Sequence, residues 1–589
     1  MAYIGIDLGT STSEVAYYKD GTVRLICMVP SYVGIDTNGE FVFGEDAKSQ
    51  YIGRPNHTVT EFKRLMGTGE MIRLGDKKFR PEEISALLLG YLKRIAEEYL
   101  KTHGEETVEE VVITVPANFD DNQRKATMIA AQMAGIKCER IINEPTAAAL
   151  AFGIKNLDKD MRILVFDFGG GTLDVTVLKM FEGILDVETS YGDTRLGGKD
   201  FDERMMELII RKTKEKYEVK LDRSNLEVLA KLKSAAEQAK IELSNTFNNQ
   251  VEVKIENVVA DGKLLDIEVN ITKAEFNTAV KDLVERAGFV IDKALEDKGL
   301  SYKDIDYVLM VGGTSNIPFV RDYVERKLGK KIYMDRNNLD PIYAVAFGAA
   351  IQAAIKAGKI SEENGILITD VCPFNLGIEV AEEVNGVLIP GIFRKMIERN
   401  STIPTTKADL FYTVNDYQTE VNVKVYQTLD NDCVWTKDAT LIGEFVLDNI
   451  PPRPRGQVPI RVEYSYDING NLRVVAEIMS TGYRREMEIK RVAHVGDSTY
   501  SEEVSKALNQ LEKRSINMYK EMELYKKYKM VIETAERKLE NIKNENGNAE
   551  KIRRLKNLLE EIKQCIVENN SEKAETIESE IVDLLFMID

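Results

Sequence analysis

The chain has 589 residues, 43% of them hydrophobic and 30% charged, which is more than one core can use and suggests about four compact units at roughly 150 residues each. No run approaches the ~18 consecutive apolar residues of a membrane span, and a formal net charge of -18 opposes general nucleic-acid binding, which needs clustered Lys and Arg. Five scattered cysteines (Cys27, Cys138, Cys372, Cys433, Cys565), no Cys-x-x-Cys pair and three histidines argue against a disulfide framework or a zinc site.

The amino terminus runs directly into strand-like sequence and leaves no room for an export signal, so the cytoplasm is the expected compartment. The apolar run Ile4-Gly5-Ile6 leads into Asp7-Leu8-Gly9-Thr10, and Arg162-Ile163-Leu164-Val165-Phe166 leads into Asp167-Phe168-Gly169-Gly170-Gly171-Thr172. Each reads as a buried strand ending in a hairpin turn. A lone triglycine is more often a plain turn than a phosphate site, but two matched loops point to a nucleotide clamped between two lobes. Glycines at positions 9, 169, 170 and 171 let backbone N–H groups approach phosphate, while Thr10, Ser11, Thr12 and Thr172 supply hydroxyls. Asp7 and Asp167 supply the hard oxygens that a hydrated magnesium ion prefers.

Between the loops, Lys63 could place a charge on a γ-phosphate and its attacking water. Glu144, at the start of an alanine-rich helix, could orient that water or take its proton. Seen alone, Lys63 reads as a surface lysine, and Glu144 reads equally as a catalytic or a helix-initiating acid. Gly197-Gly198-Lys199-Asp200 fits beside the phosphates, and Val311-Gly312-Gly313-Thr314-Ser315 could close over the adenosine. No Gly-x-x-x-x-Gly-Lys-[Ser/Thr] string occurs, which excludes a P-loop enzyme. Glu144-Pro145 through Gly153 recurs in outline as Asp340-Pro341 through Gly348. Their shared Pro, Ala and Gly offsets predict two helices that cross closely, as a hinge at the base of a cleft.

Residues 1–362 alternate β-branched runs with helical segments, the pattern of α/β architecture. Residues 371–492 are dense in Val, Ile, Tyr and Thr, with turn signals at Asn385-Gly386, Asp430-Asn431 and Asn469-Gly470, and read as an all-β module. Residues 500–589 carry Leu, Ile and Met at three- and four-residue spacing, for example Ile552, Leu555, Leu558, Leu559 and Ile562, and read as a helical bundle. The apolar segment 363–370 between the first two parts reads as a connector, either a docking linker or an ordinary strand of the β module.

These strings, with Phe62-Lys63-Arg64, Ile113-Thr114-Val115-Pro116-Ala117, Ile142-Asn143-Glu144-Pro145, Leu196 through Asp202, Ala235 through Ser244 and Ile397 through Pro404, resemble the seventy-kilodalton heat-shock (DnaK-type) chaperone family, in a shortened bacterial branch. The resemblance spans nearly the whole chain. It implies a two-lobed, actin-like (ribonuclease-H-like) ATPase domain at 1–362, a linker at 363–370, a β-sandwich peptide-binding domain at 371–492 and an α-helical lid at 500–589. It assigns catalysis to Lys63, Glu144 and Thr172, the metal to Asp7 and Asp167, and the adenosine to Glu237, Lys240, Ser244, Gly312, Gly313 and Asp340. The implied cofactors are ATP or ADP and magnesium, with potassium as a further ion the family allows.

The implied function is ATP-regulated binding and release of unfolded polypeptides in the stress response. Pro116 and Arg124 match positions that relay nucleotide state, Asp370 the linker aspartate, and Arg140 a place where J-domain co-chaperones act; an exchange factor is left open. Ile378, Val380, Phe411, Val421 and Val423 would line a peptide groove, with Ala381 and Val414 at its arch. Taken singly, each of these residues reads equally as sandwich core. Departures are Ser11 and Thr12 after the first loop, Asn118, Asn316, Tyr343, a linker without a leucine triplet and an apparent insertion at 382–389. The competing reading is a small-molecule or sugar kinase of the same ATPase superfamily.

Overall fold

The computed structural model describes residues 2–104, 108–138, 140–154, 159–332, 340–360, 367–385, 387–467, 470–489, 501–514, 516–541 and 549–587. Two five-stranded sheets dominate residues 2–368. The first runs Arg140–Asn143, Val108–Val115, Ala2–Asp7, Thr12–Lys19, Thr22–Pro30, and the second Tyr307–Val311, Met161–Phe168, Leu173–Phe181, Ile184–Asp193, Leu367–Ile368. In each, three consecutive strands pair antiparallel and a later strand joins the first in parallel. Both glycine loops are therefore hairpin turns. The central strands are buried along most of their length, as sheets covered on both faces require.

The Glu144–Gly153 and Ala344–Lys356 helices lie in the shared core between the sheets. They cross where a Cβ on Gly348 would lie 1.7 Å from the Ala147 carbonyl oxygen, and a Cβ on Gly5 would lie 2.2 Å from the Ala350 nitrogen. The alanine and glycine spacing thus becomes backbone-to-backbone contact, because no side chain larger than a methyl separates the two axes.

Residues 370–489 form two four-stranded antiparallel sheets, Val387–Ile397, Asn375–Val384, Val421–Thr428, Thr440–Leu447 and Thr405–Tyr412, Pro459–Tyr466, Leu472–Ile478, Tyr483–Ile489. Strict alternation along Pro459–Tyr466 sends Ile460, Val462, Tyr464 and Tyr466 inward. The connector divides: Leu367–Ile368 extends the second sheet beside Ile184–Leu185, while Asp370–Val371 pairs with Thr402–Ile403 of the β module. Residues 363–366, and Gly386 and Asn469 of two predicted turns, lie outside the described residues.

The tail forms helices Glu502–Lys513, Tyr525–Asn541, Ala549–Val567 and Ser571–Met587. Among the described residues they do not cover the β module as a lid would; their apolar stripes join the core of the first lobe. Val504, Ala507 and Leu511 face the long Pro81–Thr102 helix, where Leu508 reaches Gly90. Charge reinforces the placement, with Lys520–Asp46 at 2.8 Å and Lys529–Glu45 at 3.0 Å. The buried Glu521 carboxylate accepts bonds from the Glu45 N–H and the Tyr91 hydroxyl, both at 3.1 Å. An amphipathic helix buries its stripe wherever an apolar partner lies, and here that partner is the first lobe.

Replacing Gly348 with Val should lower stability in urea by at least about 3 kcal/mol, the upper end for overpacking, since backbone rather than a side chain must yield. An unchanged unfolding midpoint would remove the close crossing.

Candidate functional site

The two glycine loops meet tip to tip. A Cβ on Gly170 would lie 2.2 Å from the Ser11 hydroxyl, and one on Gly171 would lie 2.5 Å from that of Thr10. The first loop is tied at its back by the Ser31 hydroxyl, which donates to the Gly9 carbonyl at 2.8 Å. The second is held by its neighbours: Thr314 donates to the Gly169 carbonyl at 2.8 Å, and the Gly198 and Lys199 N–H groups donate to Gly169 and Gly170 at 3.0 and 2.9 Å. Gly197 lies so close that its Cβ would sit 2.5 Å from the Gly170 oxygen. The start of the Gly198–Tyr217 helix therefore lies against the loop and adds its positive end to the site.

Lys63, expected at the surface on its own merits, is buried, and its Nζ donates to Glu144 Oε1 at 2.6 Å. Burial opposes its charge, but Glu144, Asp7 and Asp167 outweigh that and raise its pKa. Burial pushes the Glu144 carboxyl up to about 7 although Lys63 pulls it down, and Asp7 adds to the rise. Burial, then Glu144, Asp174 and Asp7, drive Asp167 well above the carboxylate range. One oxygen of Asp167, Oδ2, is buried without a hydrogen-bond partner; Asp7 accepts from Thr114 at 2.7 Å. Carboxylates thus outnumber the single lysine. Among the described residues no group of three or more Asp, Glu, His or Cys could hold a metal ion, so a cation here would need oxygens from phosphate and water. The orphaned oxygen and the raised carboxyls fit a hydrated magnesium ion of that kind.

The residues expected to contact adenosine, Glu237, Lys240 and Ser244, share one face of the Leu226–Ser244 helix. Each already has a partner. Lys199 and Lys48 pair with Glu237 at 3.2 and 3.5 Å, and against the effect of burial these lysines and Lys240 hold its carboxyl down at about 2. Lys240 pairs with Asp202 at 2.7 Å and donates to the Gly198 carbonyl at 3.3 Å, while the Ser244 hydroxyl donates to Lys240 of its own helix at 2.8 Å. Gly312 has φ +81 and packs on the Phe168 carbonyl, and Gly313 faces open space. Asp340 accepts from the Ile342 N–H at 2.9 Å, which ties the second hinge helix to the diglycine through Pro341 and Gly312.

Asn143 directly precedes Glu144 and turns to other partners. Its carbonyl oxygen accepts from Arg124 at 2.7 Å, and its amide donates to Asp370 at 2.8 Å. Arg124 also donates to the Ala117 and Phe119 carbonyls, and the Phe119 N–H donates to Pro116. Arg140 faces Asp370 from the same edge. A second tie joins the β module to the second lobe: Arg399 pairs with Asp297 at 3.2 Å and lies over the Tyr191 ring, while Asn400 bonds Ser190 and Thr189. Tyr343, the helix-start departure, sets its hydroxyl against Glu523 of the tail.

In the β module, Ile378, Val380, Phe411, Val421 and Val423 line one cavity of about 770 Å³, with Ala381 and Val414 beside them. Arg64 and Asp174 were given no role by sequence, and Asn118 was noted only as a departure from the family pattern. Arg64 donates to the Gly171 carbonyl at 3.0 Å and pairs with Asp200 at 2.7 Å. Asn118 donates to Asp174 at 2.6 Å across the two sheets, and burial lifts Asp174 to about 6 against that bond. Asp174 was legible in principle as a lone acid inside an apolar strand; Arg64 sits within a matched motif with nothing local to mark its reach.

A family model described as Hsp70 protein matches residues 3–587. The chaperone protein DnaK of Thermotoga neapolitana is 37% identical over 582 residues, covering 96% of this chain and 93% of that protein. Those of Thermotoga petrophila and Thermotoga maritima are 40% identical over 526 residues, covering 86% of this chain and 85% of each.

A buried carboxyl with a raised pKa opposes folding increasingly as pH climbs above its unfolded value. Without nucleotide or divalent cation, Asp167→Asn should therefore melt above the wild-type chain at about pH 8, with the gap narrowing toward about pH 5 as the wild-type carboxyl protonates. Coincident melts at the higher pH would rule out a buried, uncompensated charge at this position.

Proposed function

The chain belongs to the Hsp70 family, and on that premise we propose how its residues carry out the work of an ATP-dependent molecular chaperone. It is an ATPase that binds ATP and ADP, and its clients are unfolded polypeptides. The kinase reading is not favoured. The observation that carries the mechanism is the adjacency of Asn143 and Glu144, which puts the linker's Asp370 one residue from the acid assigned to the attacking water.

In this reading the actin-like ATPase comprises residues 1–362, the linker 363–370, the peptide-binding sandwich 371–492 and the lid 500–589. The paired loops at Gly9 to Thr12 and Gly169 to Thr172, with Gly197 and Gly198, hold the phosphates through backbone N–H groups and hydroxyls. Glu237, Lys240 and Ser244 border the adenosine, closed over by Gly312, Gly313 and Asp340. Asp7 and Asp167 would hold a magnesium ion through water, and that ion would supply neutralisation of phosphate charge; potassium is a further candidate ion.

Lys63 sets its charge beside the γ-phosphate, and Thr172 orients the terminal oxygens. Glu144 takes the proton of the attacking water. The Lys63–Glu144 pair keeps that base near neutrality, so it is competent in its deprotonated form and the rate rises with pH through about 7. Asn143 passes the state of this site to Asp370, and through it to the docked β module. J-domain proteins are proposed to act around Arg140, where Asp370 meets the first lobe. The cytoplasm is the proposed compartment, in which the free cysteines stay reduced. No helix among the described residues is long and apolar enough to cross a membrane.

Lys63→Ala and Thr172→Ala should each lower single-turnover hydrolysis by about a hundredfold or more, the scale of losing an oriented charge or proton path. Asp370→Asn should leave hydrolysis within about threefold, because the linker touches no reacting atom, yet abolish the ATP-triggered release of a fluorescent apolar peptide. Anisotropy decay after ATP addition reads the second effect, and unimpeded release in that variant would break the proposed relay.

A further inference from the structure

The cavity beneath Ala381 and Val414 lies between two sheets that share no ladder. Its floor is apolar, with Ile378, Phe411 and Val423 joined by Ile460 and Val462. Its mouth is charged. Arg394, on the edge strand Val387–Ile397, pairs at 3.5 Å with Asp409, on the edge strand Thr405–Tyr412 of the other sheet. Arg394 lies in register with Ile378, and Asp409 with Val462, so this pair stands over the apolar floor.

Toward the hairpin end, Glu383 pairs at 2.5 Å with Arg455, in the loop that enters the Pro459–Tyr466 strand. That loop is rigidly placed: the Arg455 N–H donates to Asp416 at 2.8 Å, and the Gly456 N–H to the Thr413 carbonyl at 2.9 Å. All four side chains line the cavity and each is about half exposed. Lys424 and Glu379, the other charged pair of the lining, sit on adjacent strands of one sheet and span nothing.

We propose that the groove is strapped by Arg394–Asp409 and Glu383–Arg455, which must open to admit an extended polypeptide, so that they determine the rate of entry and its dependence on salt. This inference rests on the peptide-binding reading of the cavity. Ala381 and Val414 also line the cavity, and the ion pairs add a polar closure between its two sheets. Exposed pairs are weak and screened, which suits a strap that opens often. The same pairs buried would lock the groove.

The test uses the full-length chain and a fluorescent apolar peptide with uncharged flanks, with association followed by stopped flow at low and high salt. Each exposed pair contributes at most about a fivefold effect, so entry should quicken about 3- to 10-fold between ~0.02 M and ~0.5 M salt. The Glu383→Gln, Asp409→Asn double variant should enter fast already at low salt, with a flat dependence. Exchanging the charges of one pair, Glu383→Arg with Arg455→Glu, should restore slow entry and the salt slope relative to Glu383→Gln. Salt also strengthens apolar contact, but equally in all variants, so only the difference in slope counts. Equal slopes in wild type and double variant would overturn the straps. Failure of the wild-type chain to bind the peptide at any salt would instead overturn the peptide-binding reading.

Discussion

One turn of backbone carries two obligations. Glu144 faces Lys63 in a buried pair of 2.6 Å, and Asn143, its neighbour, bonds Arg124 and Asp370. Moving the first hinge helix by even part of an ångström would disturb both sets of bonds at once, because the Glu144–Gly153 helix has no slack: Ala147 and Gly348 are in backbone contact. Close packing transmits displacement instead of absorbing it. The coupling proposed between phosphate chemistry and the β module therefore needs no long chain of intermediates, only a rigid helix whose first residue and preceding residue answer to different parts of the molecule.

The site is also built against its own stability. Asp167 and Glu144 are buried with Asp7 and Asp174 close by, and Lys63 answers both of the first two. Groups of this kind raise each other's pKa and weaken the fold until a cation arrives. Three ion pairs across the upper cleft, Lys48–Glu237, Arg64–Asp200 and Lys233–Glu61, hold the lobes near each other meanwhile. Closure is thus supported at the rim and opposed at the base, which leaves nucleotide to tip the balance.

The helical tail lies on the first lobe rather than over the groove, and the β module is tied to the second lobe through Arg399 and Asn400. Glu521 and Tyr343 show how specific the docking is. One gives a buried carboxylate to a helix start and a tyrosine of the lobe, and the other places a hinge-helix hydroxyl against Glu523. Tyr343 departs from the family pattern at the helix start and meets its partner on the tail.

Local order was legible in the chain. The two apolar runs ending in Asp and Gly predicted paired hairpins, because buried strands and tight turns are written in neighbouring residues. The alanine offsets predicted the crossing helices, β-branched density and turn signals predicted the all-β module, and three- and four-residue spacing predicted the tail helices. The chain also marked the two glycine loops that meet tip to tip, and family strings pointed to Lys63 and Glu144. What depended on the third dimension was which side chains meet across hundreds of residues: Lys63 with Glu144, Asn118 with Asp174, Asn143 with Asp370, Arg394 with Asp409, and the tail with the first lobe. A lysine in a loop reads the same whether it ends in solvent or in a carboxylate cleft. Periodicity records which face of an element is apolar, but the identity of the surface that covers it is decided only when the whole chain packs.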